Sequence, residues 1–113
     1  MKDVKLLRVT NEEIEVLQLE LFLFSEAQKQ QVALLTINEF LEALISTDIA
    51  LRLWYLFRRK VEGSQQKFSV RLKVSEACIV LKCCMWPRTG RSDYEKNIVE
   101  KYKTVIDQQL KSI

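Results

Sequence analysis

Two glycines and one proline in 113 residues leave this chain few places to turn. Those residue types supply the backbone geometries that tight turns demand, and an all-β protein of this size needs many turns. Long elements are therefore expected. With 48% apolar and 29% charged residues, the chain has enough apolar surface to offset chain entropy and fold as a globule. Its length suits a single domain, residues 1–113, burying roughly two-thirds of its unfolded surface.

Helix starts are marked by capping boxes, in which a Ser or Thr hydroxyl accepts from an orphan N–H and a Glu three residues later reaches back. Thr10–Glu13, Thr36–Glu39 and Ser92–Glu95 fit the pattern, and Ser25–Gln28 is a weaker fourth. From Asp93 to about Lys111 the positions Val99, Tyr102, Ile106 and Ile113, with Gln109 in the remaining slot, recur at alternating spacings of three and four. Tyr94, Ile98, Val105 and Leu110 widen that stripe, which predicts an amphipathic helix with one docked side. Phe40, Leu41, Leu44, Ile45, Ile49, Leu53, Leu56 and Phe57 give the same period in mid-chain. Ser46-Thr47-Asp48 interrupts them, so a kink or two abutting helices is expected there. Gly63 with Ser64 closes the segment, after Arg58, Arg59 and Lys60 in its last turn.

Residues 68–74, FSVRLKV, alternate apolar and polar as a half-buried strand does. Ser75 then reads as an N-cap for a helix carrying Ala77, Cys78, Leu81, Cys84 and Met85 on one face and stopping before Pro87. Residues 87–92, PRTGRS, read as a loop. Val4 to Val9 reads as a second strand running directly into the Thr10 cap, a junction that echoes Val74–Ser75. Residues 14–24 carry both periods, but the cap and the Glu/Leu/Gln content favour a helix. The expected fold is helix-dominated α+β, with four or five helices packed against one or two short strands that pair with each other. An all-α fold is the alternative.

The chain has no histidine, which removes the commonest general base and metal ligand. Histidine-dependent triads are excluded within this chain. Cys78, Cys83 and Cys84 do not form the spaced pairs of a zinc site, and two glycines cannot write a phosphate-binding loop. Glu12, Glu13, Glu15 and Glu20 read as a solvated helix face. Neither catalysis nor a cofactor, a metal or a small-molecule substrate is indicated. The odd number of cysteines suits a reducing cytoplasm. The longest stretch without charge, Gln30 to Asn38, is too short to span a membrane.

Charge is unevenly placed, with a net of −5 over residues 1–50 and +8 over 51–113. Such halves suit a two-fold dimer in which acidic meets basic. The aromatic content, two Trp, three Tyr and five Phe, favours a protein interface. A small, non-catalytic interaction or regulatory protein that forms a homodimer or binds another protein is the leading expectation. The alternative is a nucleic-acid-binding accessory protein using the basic 52–73 segment. Its candidate surface comprises Arg58, Arg59, Lys60, Lys67, Arg71 and Lys73, joined by Arg88 and Arg91 from the loop. Trp54 and Tyr55 would stack on unpaired bases.

Overall fold

A computed structural model of the chain describes residues 2–31, 35–63 and 66–112. Ser64 and Ile113, assigned above to a helix end and a helical stripe, lie outside the described residues. The order is β1 (Val4–Thr10), α1 (Asn11–Gln31), α2 (Ile37–Val61), β2 (Lys67–Leu72), α3 (Val74–Met85) and α4 (Asp93–Leu110). The strands pair antiparallel into a two-stranded sheet, which makes the fold the helix-dominated α+β expected from the pattern. No helix among the described residues is long and apolar enough to cross a membrane.

β1 contains the least regular geometry. In strict alternation VKLLRVT would place Arg8 on the same face as Val4 and Leu6 and turn Val9 to solvent. The pairing register advances by one residue between Leu6↔Val70 and Val9↔Phe68, so Leu7 and Arg8 together stand opposite Ser69. Arg8 takes φ 54°, the left-handed geometry of the first residue in one kind of β-bulge. The extra residue resets the phase: Val4, Leu6 and Val9 are all buried while Leu7 and Arg8 are exposed. The burial gained by Val9 offsets a backbone geometry that costs on the order of 1 kcal/mol.

Each strand runs into a helix without a loop. Thr10 ends β1 and caps α1, its hydroxyl accepting from the Glu13 N–H at 3.2 Å and its N–H donating to Glu13 Oε1 at 3.0 Å. Thr36–Glu39 and Ser92–Glu95 form the same reciprocal pairs at the starts of α2 and α4. Ser25 is not a cap. It sits inside α1 with its hydroxyl donating to the Leu21 carbonyl. Ser75 is not one either: α3 starts two residues earlier than that cap implies, and at the N-cap Lys73, whose side chain has no acceptor, the backbone N–H donates to the Glu76 carboxylate. Pro87 holds Trp86 in an extended conformation, φ −64° and ψ 124°, and so stops α3.

α2 passes through Ser46-Thr47-Asp48 as one helix of 25 residues. Ser46 is buried and faces inward with Ala43 and Ala50, and small side chains there let α1 approach closely. Gln18 Nε2 donates to the Trp54 carbonyl at 3.3 Å, and Gln28 and Gln31 line a pocket with Glu39 and Ala43 at the other end. The two long helices are therefore antiparallel. The core lies between this pair, the inner face of the sheet, and α3 and α4. At its centre are Leu6, Ile14, Leu17, Leu53, Phe57, Leu72, Tyr102 and Ile106.

Candidate interaction surface

α2 is apolar on two sides. Its inner stripe, Ala43, Ser46, Ala50, Leu53 and Phe57, is buried. Ile37, Leu41, Leu44, Asp48, Leu51 and Tyr55 form a second stripe at spacings of four and three, two residues out of step and hence about 200° round the helix. The outer stripe faces solvent: Ile37 is 69% exposed, Ile45 beside it 60% and Tyr55 62%, with Leu41, Leu44 and Leu51 also exposed. A surface helix of a monomeric domain ordinarily carries its charges there. Asp48 interrupts the stripe and holds Arg52 at 3.1 Å.

The surface continues onto α1. Leu19 and Phe22 are exposed, and with Glu15, Gln18 and Trp54 they line a shallow groove of about 310 Å³. Trp54 meets Tyr55 edge to face, with centroids 5.1 Å apart and planes at 85°. Reading the mid-chain apolar residues as one stripe hid this arrangement. The signal in the sequence was their number, since one buried face of a helix does not need residues at both 41, 44, 51, 55 and 43, 50, 53, 57.

The eight cationic candidates are not one surface. Arg88 and Arg91 turn inward from the 87–92 loop onto Glu20 of α1, which is fully buried; their side chains are 15% and 9% exposed. Arg88 donates to Glu20 Oε1 at 2.6 Å and Arg91 to both carboxylate oxygens at 3.0 and 2.9 Å. Arg91 also donates to the Cys83 carbonyl at 3.1 Å, satisfying an acceptor in the last turn of α3. Both arginines therefore leave the candidate partner surface, because pairing a buried carboxylate outweighs exposing their charge. Glu20 and Glu13 likewise leave the solvated face to which they were assigned. Burial pushes the Glu20 carboxyl up, but hydrogen bonds from Arg91 and Arg88 more than reverse this and hold it below the usual carboxylate range. For Glu13, burial is overcome by Lys101 at 2.6 Å, the Thr10 N–H and the Tyr102 hydroxyl at 3.0 Å. The sequence signal was phase: residues 13, 17, 20 and 24 share one face of α1.

Lys67, Arg71 and Lys73 are exposed on or beside β2. The register sets Lys5 of β1 directly opposite Arg71, and Arg8 at the bulge is also exposed. The outer face of the sheet is therefore basic, with Asp3 reaching Arg71 only at 4.0 Å. Arg58, Arg59 and Lys60 belong to another element, the last turn of α2, where Arg58 is held by Glu62 at 3.0 Å.

The inner face of α3 is rotated by about one residue from the expected one. Ala77, Val80, Cys83 and Cys84 are buried, while Cys78 and Met85 are exposed. Burial, helped by nearby Glu20, pushes the Cys84 thiol up to about 12. Burial and the neighbouring Cys84 raise Cys83 as well. Neither thiol is disposed to ionise, which a nucleophile or metal ligand requires. Among the described residues, no group of three or more Cys, Asp or Glu side chains is placed to hold a metal. Comparison with protein-family models, with curated proteins and with solved structures gives no match.

Proposed function

We propose that this chain is a non-catalytic protein-interaction module whose working surface is the outer face of α2 with its α1 shoulder. The observation that carries this reading is the exposed apolar stripe from Ile37 to Tyr55. Contiguous apolar surface rimmed by polar residues marks interaction sites, whereas scattered single residues do not. The three free thiols fit a reducing, cytoplasmic setting.

The double variant Leu44→Gln/Ile45→Gln tests the reading. Both side chains are about half exposed or more, so at high dilution, where chains are separate, the thermal midpoint should stay within a few degrees of the parent while binding of the apolar dye bis-ANS falls. Collapse of the fold in this variant would mean that the face belongs to the core, and would sink the proposal.

A second reading rests on the sheet register, which sets Lys5 beside Arg71 and adds Lys67, Lys73 and Arg8 to one basic face. That face suits a polyanion such as nucleic acid, whose binding weakens steeply with salt as counterions are released. Arg71→Glu/Lys73→Glu should abolish binding of mixed DNA and RNA. No binding by the parent at low salt ends this reading.

A further inference from the structure

We infer that the outer face of α2 is occupied by the same face of a second copy of this chain, crossing antiparallel about a two-fold axis. This rests on the docking-face reading above and names its occupant. A seam with spacings of four and three packs against a like seam in the manner of a coiled coil. In antiparallel alignment one register uses all six seam positions. It sets Ile37 against the second copy's Tyr55 and Leu41 against its Leu51, with Leu44 beside its Asp48. On the flank of that seam Ile45 meets its own counterpart at the axis, which gives a role to a side chain otherwise 60% exposed.

Charge selects the antiparallel direction. From Ile37 to Thr47 the charged residues of α2 are Glu39 and Glu42. From Arg52 to Lys60 they are Arg52, Arg58, Arg59 and Lys60. Parallel crossing would set the cationic last turns of both copies, Arg58 to Lys60, side by side, whereas antiparallel crossing sends them to opposite ends and opposes the helix dipoles. Asp48, the polar residue of this seam, carries Arg52 with it as counter-ion.

The area is also of the right order. Ile37, Leu41, Leu44, Ile45, Leu51 and Tyr55 are each exposed by a third to two-thirds. Together they offer on the order of 600 Å², against about 800 Å² per partner in an ordinary specific interface. The α1 shoulder, Leu19 and Phe22, lies beside Trp54 and supplies part of the remainder.

Sedimentation velocity at tens of micromolar should give twice the chain mass. Leu44→Gln/Ile45→Gln should weaken the association by about a hundredfold or more. Direction and register are read by cross-linking with the exposed Cys78 replaced by Ser. On oxidation, Ile45→Cys should form a covalent dimer and Ile37→Cys alone should not, while Ile37→Cys mixed with Tyr55→Cys should. A parent protein that remains monomeric overturns the inference, as does cross-linking of Ile37→Cys to itself, which marks a parallel pair. So does a dimer that survives the double glutamine variant. A monomeric parent whose double variant stays folded and loses bis-ANS binding removes the second copy alone and leaves the docking face for a different protein.

Discussion

Replacing Glu20 with alanine removes the one carboxylate that both loop arginines share. Four hydrogen bonds are lost, from Arg88 Nε and Nη2 and from Arg91 Nε and Nη2, and two guanidiniums that are 15% and 9% exposed are left facing each other. Breaking a buried pair by deleting one partner costs about 3–5 kcal/mol, because the surviving charge loses its compensation; here the remaining ion-pair partner is Glu95, 3.7 Å from Arg88. Total stability for a domain of this kind is about 5–15 kcal/mol, so a large fraction would go. The thermal midpoint should fall by roughly 10–20 °C. Urea unfolding followed by far-UV circular dichroism measures the loss. The triple variant Glu20→Leu/Arg88→Met/Arg91→Leu separates charge from packing. If uncompensated charge is the cause, it should recover most of the loss, short of the contribution of the Arg91 bond to the Cys83 carbonyl. A single variant that costs less than about 1 kcal/mol, or a triple variant no better than the single, would refute the reasoning.

Acid should destabilise the fold from a definable pH. Glu13 and Glu20 hold folded pKa values below the ordinary carboxyl value of about 4.3, so on acidification the unfolded chain takes up their protons first. The stability they contribute is complete above that ordinary value and is lost as pH falls through the depressed ones. The urea midpoint should be flat from pH 7 to about pH 5 and decline below; a midpoint indifferent to pH between 5 and 3 contradicts the assignment. Ellman's reagent should titrate one thiol per native chain, the exposed Cys78, and all three in denaturant. Fast reaction of a second native thiol would show that Cys83 or Cys84 is not held as described. Gly90 sits at φ +88° with open space where a Cβ would point, so Gly90→Ala should cost about 1 kcal/mol by backbone strain alone, read as a lowered urea midpoint.

The elements were legible in the sequence because their determinants are local. Thr10–Glu13, Thr36–Glu39 and Ser92–Glu95 mark helix starts through groups three residues apart, Pro87 stops α3 through its immediate neighbour, and FSVRLKV alternates within a single strand. The pairing of the two strands followed from their number and their apolar faces. The bulge was not legible, because VKLLRVT shows two adjacent leucines whether or not the register shifts. Only the sheet partner and the core beneath it turn Val9 inward and Arg8 into a left-handed conformation.

The charged residues divide in the same way. Period and propensity determine which face of a helix is apolar, but a carboxylate lying in phase with that face, such as Glu20, becomes solvated or buried according to what reaches it. Two arginines 68 and 71 positions further along the chain reach it, and no local pattern encodes that distance. The outer stripe of α2 shows the converse. Its residues and spacing were in the sequence from the start, yet whether they faced the core or the solvent depended on which side α1 covered. The chain alone determined that α2 has two apolar faces; tertiary packing decided which was buried, because the helices that contact α2, α1 and α3, both lie on its core side.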